Sequence, residues 1–169
     1  EQAGYKAGLI GTVHNEIDQM EVPAKFTTPE AWDLNALFSR MVLAGCTFAV
    51  MEASSQALDQ LRLWGLKFEV GVFTNLNQDD PYGMRLIAEA HLPQVITYSA
   101  GDDTADYTAR NIQLSAAGVK FEMVGRSFIQ RVKFPMPGEY SVYNALAAAA
   151  TAIALGIDAA KAATALNAS

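Results

Sequence analysis

Short apolar runs alternate with helical stretches along the first half of this chain, and that alternation limits the fold more than any other feature. Residues 7–13, 47–51 and 68–75 read as strands. Between the first two, Leu34, Leu37, Phe38, Met41 and Val42 recur at helical spacing, which predicts a helix that buries one face and ends at Gly45. A second helical stretch, 55–62, passes through Gly65 to the next strand. Strand, helix, strand, helix, strand at this spacing calls for right-handed crossovers, hence an α/β fold with a mostly parallel, doubly wound sheet and helices on both faces.

Between the first strand and the first helix lies a polar excursion, residues 14–25, which reads as a loop or hairpin. Thr27-Thr28-Pro29-Glu30 then offers two overlapping helix starts: Thr27 with Glu30 as a capping box, or Thr28 as cap with Pro29 in the first turn. Asp80-Pro81-Tyr82-Gly83 opens a short helix over 84–90, followed by a strand at 94–98. The pattern changes at Asp106. Residues 107–114 and 119–124 alternate and are joined by Ser115-Ala116-Ala117-Gly118, the signature of an antiparallel hairpin at the sheet edge. A strand at 131–135 follows, then a long helix with Ser141 as cap and Gly156 as its end, and a last helix capped by Asp158.

Composition narrows the function classes. A chain of 169 residues, 51% hydrophobic and 18% charged, is long enough for one domain with its own core. A net charge of −6 argues against a general nucleic-acid or anionic-membrane surface. Cys46 is the only cysteine, so no internal disulfide and no thiolate metal cluster can form; a small buried thiol in a reducing compartment fits it. The longest apolar run, 145–155, is too short to span a bilayer and no secretory leader is visible, so the expected location is cytoplasmic. The chain starts at Glu1 without a methionine and ends inside a helical pattern, which reads as a piece of something longer. His14 and His91 stand alone in loop-like settings, and Trp32 and Trp64 read as packing residues.

The segment Phe48-Ala49-Val50-Met51-Glu52-Ala53-Ser54-Ser55 runs from an apolar strand into one carboxylate, two hydroxyls and a helix start. In parallel sheets ligands bind outside the carboxyl ends of the strands, where Glu52 stands. Hydroxyls at a helix N-terminus, beside free N–H groups, suit an anion. Taken alone, the segment is equally well read as a helix cap beside a solvated glutamate.

The order Thr27-Thr28-Pro29, Val50-Met51-Glu52-Ala53-Ser54-Ser55, Arg62, Phe73-Thr74-Asn75-Leu76, Asp80-Pro81-Tyr82-Gly83 and Tyr143-Asn144-Ala145-Leu146-Ala147-Ala148 resembles that of the Mur ligases, over almost the whole chain. The resemblance is to their central ATPase domain, within the branch that adds the third residue of the peptidoglycan stem peptide. It implies one truncated central domain over 1–169, from an ATP-dependent, Mg²⁺-requiring amide ligase. The implied partners are a UDP-muramoyl-peptide (UDP-N-acetylmuramoyl-L-alanyl-D-glutamate) and an amino acid. By the same resemblance Thr27, Thr28, Ser54, Gln60 and Arg62 would hold the UDP-muramoyl-peptide, Glu52 would ligate Mg²⁺, and Asn144 would approach the nucleotide base. The chemistry is compatible: Mg²⁺ takes one or two carboxylates plus phosphate oxygens, and Arg62 can grip a carboxylate or phosphate bidentately.

The chain departs from the family in several places. Ser141 stands where an asparagine is usual, and Gln56 where a histidine commonly follows the two serines, so any proton role of that histidine is lost. No Gly-x-x-x-x-Gly-Lys-Ser/Thr occurs, so the loop that cradles nucleotide phosphates is missing, and the chain alone is expected to be inactive. Only Asn77-Gln78-Asp79 separate Leu76 from Asp80, where the family has a long segment bearing a metal-binding carbamylated lysine. Those residues fit the tail of the first motif or the head of the second, which points to a deletion or break and to an exposed sheet edge. The family reads the incoming amino acid, diaminopimelate or lysine, with a C-terminal domain. Two other readings stand beside this one: a folylpolyglutamate- or cyanophycin-type ligase, and a non-catalytic α/β binding module.

Overall fold

The computed structural model describes residues 3–72 and 95–168. The chain divides into two compact units, Ala3–Lys67 and Phe68–Ser169. The motifs Phe73-Thr74-Asn75-Leu76 and Asp80-Pro81-Tyr82-Gly83, the helix expected over 84–90 and His91 lie outside the described residues.

The first unit holds β1 (Ala7–Ile10), β2 (His14–Ile17), β3 (Met20–Pro23), α1 (Ala31–Leu43), β4 (Phe48–Met51) and α2 (Ser55–Asp59). Its sheet has the order β3-β2-β1-β4, with β1 and β4 parallel and the β1-β2-β3 pairings antiparallel. The polar excursion is thus a hairpin, and His14 lies in a strand rather than a loop. It turns through Asp18 and Gln19, both at positive φ. Ile10, Ile17, Leu34, Leu37, Met41 and Leu63 form the core. Gly8 lets α1 lie close over β1: a Cβ there would run into the Met41 side chain, which would have to shift.

The second unit holds β5 (Tyr98–Ser99), β6 (Tyr107–Ser115), β7 (Gly118–Gly125), β8 (Phe128–Phe134), α3 (Tyr140–Ala154) and α4 (Ala159–Asn167). Its strand order is β5-β6-β7-β8, parallel at β5-β6 and antiparallel beyond. One face of the sheet packs Val119, Phe121, Met123 and Val132 against Val142, Ala145, Leu146 and Ala149 of α3. Alanine on α3 lets helix and sheet approach closely, which accounts for the alanine bias. The Asp158 carboxylate accepts from the Ala160 and Lys161 amides, as a cap should.

The architecture is α/β, with parallel and antiparallel pairings mixed among the described residues. Several local expectations are corrected. Val42 is 73% exposed, Trp32 85% and Trp64 82%, so none of the three is a packing residue. Residues 68–72 form no strand, and the strand expected at 94–98 is β5, at its C-terminal edge. Ser141 is not a cap: it lies inside the first turn of α3, buried, and its hydroxyl donates to the Pro137 carbonyl. Neither Thr27 nor Thr28 caps α1, whose N-cap is Glu30 without a side-chain bond.

Candidate functional site

The carboxyl ends of two neighbouring parallel strands build the site. β1 and β4 run in register from Ala7↔Phe48 to Ile10↔Met51, and the Glu52 amide extends the pairing by donating to the Ile10 carbonyl at 2.9 Å. The chain beyond β1, Gly11-Thr12, therefore faces the chain beyond β4, Glu52-Ala53-Ser54. The Thr12 amide donates to Glu52 Oε2 at 3.0 Å, and the Thr12 hydroxyl donates to the same oxygen. Thr27 Oγ1 lies 3.1 Å from Thr12 Oγ1.

Thr28 is 1% exposed, and its hydroxyl is spent on long-range bonds rather than on a cap. It donates to the Glu52 carbonyl at 2.8 Å and accepts from the Ser54 amide at 3.0 Å, splinting the turn from β4 into α2. Ser54 is the N-cap of α2, its Oγ accepting from the Ala57 amide at 3.2 Å. Ser54 thus caps a helix, as one reading of this segment has it, and Glu52 stands exposed at the strand end with its carboxylate bonded to Thr12.

Arg62 reaches this turn because of how α2 ends. The Leu61 amide bonds the Leu58 carbonyl and the Arg62 amide bonds the Ala57 carbonyl, the paired bonds of a Schellman motif with Leu61 at φ 56°. The chain reverses there, and the Arg62 Nη1 donates to the Thr28 carbonyl at 2.9 Å. Its Nε and Nη2 both donate to Gln60 Oε1, at 2.9 and 2.6 Å. Nη2 also pairs with Glu30 at 3.0 Å, and the guanidinium lies over the Phe26 ring, 5.7 Å from its centroid. Three hydrogen bonds and the Glu30 contact occupy four of the five N–H groups and leave one, on Nη1, for a ligand. The side chain is 14% exposed, so Arg62 is already a partly buried tie between the 26–30 segment and α2.

Six of the seven sequence-derived positions, Thr27, Thr28, Glu52, Ser54, Gln60 and Arg62, thus meet in the first unit. Asn144 lies in the second, exposed in the first turns of α3. Thr12 was not singled out from the sequence. The strand-end argument that selected Glu52 applies equally to the neighbouring parallel strand and would have found it. Among the described residues no group of three or more His, Cys, Asp and Glu side chains gathers, so a cation at Glu52 would need ligands from outside such a cluster. Nor is any helix among them long and apolar enough to cross a membrane.

Comparison with known proteins gives this geometry a family context. UDP-N-acetylmuramoyl-L-alanyl-D-glutamate–2,6-diaminopimelate ligase 1 of Clostridium acetobutylicum is 35% identical over 197 positions, covering 99% of this chain and 40% of its own length. The ligase of Caldanaerobacter subterraneus subsp. tengcongensis named for the same reaction is 36% identical over 188 positions, covering 93% of this chain and 39% of its own. A solved structure of a UDP-N-acetylmuramoyl-L-alanyl-D-glutamate–2,6-diaminopimelate ligase superposes with a TM-score of 0.83 at 27% identity, over 98% of this chain and 41% of that one. The chain thus spans about two fifths of the length of the curated relatives it matches.

Both alignments run over more positions than the 169 residues present, so the relatives carry residues with no counterpart here. The Mur ligase middle domain family matches in two segments, residues 1–79 and 76–152, which overlap where both motif registers fit. With that match extending over most of its length, this chain belongs to the Mur ligase middle domain family.

Proposed function

We propose that this chain is the central part of an ATP-dependent amide ligase of peptidoglycan synthesis. The ligase would add a third amino acid, diaminopimelate as in the names of its relatives, to UDP-N-acetylmuramoyl-L-alanyl-D-glutamate. The observation that carries the reading is the meeting of Thr27, Thr28, Glu52, Ser54, Gln60 and Arg62 around one β-strand end in a chain of this family.

In this reading the first unit holds the muramoyl-peptide. Thr28 and Ser54 order the turn beyond β4, and the remaining Arg62 N–H, on Nη1, meets the ligand's carboxylate. Gln60 keeps the guanidinium oriented by accepting from two of its nitrogens. Glu52, exposed and with Oε2 already bonded, suits a hard divalent cation that completes its shell with phosphate oxygens. Bound there, Mg²⁺ would neutralise charge on a transferring phosphoryl group. The residues present do not fit the triphosphate of ATP, because no glycine-rich lysine loop occurs in the 169 residues, and Asn144 is the single candidate base contact. ATP therefore belongs to the proposal for the longer ligase, as does a cytoplasmic setting.

The test is a titration of the 169-residue chain with UDP-N-acetylmuramoyl-L-alanyl-D-glutamate in the presence of Mg²⁺. Saturable binding that weakens tenfold or more in Arg62→Ala is expected. Unchanged affinity in that variant would sink the residue assignment.

A further inference from the structure

We propose that Thr12 is a positioning residue: it pins Glu52 through Oε2 and thereby selects Oε1 as the oxygen offered to a divalent cation. The proposal rests on the reading of Glu52 as the cation ligand and deepens it.

A glutamate at an exposed strand end has three side-chain torsions, and an untethered carboxylate there presents either oxygen in many directions. Here the tether is built from backbone first. Thr12 follows β1 by two residues, and the parallel register with β4, which ends at Ile10↔Met51, brings the chain just beyond Ile10 alongside Glu52. That amide and the Thr12 hydroxyl both donate to Oε2. Two donors thus bond Oε2, while among the described residues no hydrogen bond is made to Oε1.

The hydroxyl carries one proton, and a charged carboxylate is the stronger acceptor, so the proton goes to Glu52. The 3.1 Å contact between Thr12 and Thr27 must then run the other way, with Thr27 donating to the Thr12 oxygen. The result is an ordered relay from Thr27 through Thr12 to Glu52, each member holding the next. Gly11 lies beside this group: a Cβ there would stand 3.6 Å from Oε1, at ordinary van der Waals distance. Mg²⁺ demands near-ideal octahedral geometry, and no cluster of three or more His, Cys, Asp and Glu side chains surrounds Glu52 among the described residues, so the orientation of this carboxylate bears directly on how a cation is held.

Mn²⁺ serves as the probe, read as paramagnetic broadening of the Glu52 carboxyl carbon and neighbouring amides in the 169-residue chain. Thr12 is exposed, so its variants should melt like the parent. Thr12→Val should weaken Mn²⁺ binding at this site by about tenfold, the low end of the range seen when a hydrogen-bond partner of a metal ligand is removed. Thr12→Ser should restore it. Glu52→Gln should abolish the local broadening; persistence in that variant would overturn the cation reading and the relay with it. If Glu52→Gln abolishes it and Thr12→Val leaves it unchanged, the positioning role is refuted while the cation reading of Glu52 stands.

Discussion

Replacing Thr28 with valine removes a hydroxyl while conserving shape, and the structure states what that hydroxyl does. It is buried at 1% exposure and bonded on both sides, to the Glu52 carbonyl and from the Ser54 amide. Each such bond contributes about 1 kcal/mol net, and a buried backbone group left without a partner costs about 1–3 kcal/mol. The extra buried methyl returns roughly 0.8 kcal/mol. Thr28→Val should therefore destabilise the turn from β4 into α2 by about 2–3 kcal/mol. Hydrogen exchange resolves the effect by residue: the Ser54 amide, which loses its acceptor, should exchange roughly 30-fold faster, the equivalent of about 2 kcal/mol. The Asp18 amide, which bonds the Ala7 carbonyl at the opposite end of β1, should be far less affected. An unchanged Ser54 rate, or a uniform acceleration across the first unit, would refute the splint.

Three further outcomes follow from named contacts. Leu61→Gly should stabilise the first unit by about 0.5–1 kcal/mol in denaturant titration, because left-handed backbone costs a non-glycine residue about 1–2 kcal/mol and glycine gives back part of this as unfolded-chain entropy. Little burial is lost, since Leu61 is 62% exposed; a destabilisation would show that its side chain has a role the contacts do not explain. Gly8→Ala should cost about 1–3 kcal/mol, because the buried Met41 must move to admit a Cβ, and a neutral effect would contradict the close approach of α1 to β1. The Asp106 carboxyl is held below the usual carboxylate range, first by the Thr97 amide and then by Arg126 and the Thr97 hydroxyl, against the opposing effect of burial. A depressed folded value means the stabilisation is present above the ordinary value of 3.8 and is lost as pH falls through the lower folded one. The stability gap between parent and Asp106→Asn should thus close below about pH 3.8, and a gap constant down to pH 2 would contradict the assignment.

Helix ends show where the sequence was sufficient. α1 and α3 stop at Gly45 and Gly156, φ 78° and 84°, with the paired bonds of a Schellman motif. Both glycines are readable because the residue type matches the conformation it enables. α2 ends in the same motif at Leu61, where a poor residue for the conformation hides the signal, and this is the turn that aims Arg62 at Thr28. The hairpin of β6 and β7 was readable from alternation, whereas its bulge between Arg110 and Gln113, with Asn111 at φ 54°, was not.

The site was legible as a set of residue types and illegible as a set of partners. Thr28 satisfies every local rule for a helix cap, yet its partners are 24 and 26 residues away and only the tertiary fold selects them. Trp32 misleads for a related reason: hydrophobicity fixes a preference for burial, but the apolar face of α1 is set by Leu34, Leu37 and Met41. Thr12 is a case where the rule existed and its application stopped one strand short.

The central claim, that the end of β4 is a floor for UDP-muramoyl-peptide, is tested most directly by mapping amide shifts as UDP-N-acetylmuramoyl-L-alanyl-D-glutamate is added to the 169-residue chain. The account predicts saturable shifts concentrated at Thr27, Thr28, Ser54, Gln60 and Arg62. Shifts that leave these five unmoved, or none at millimolar ligand, would contradict it.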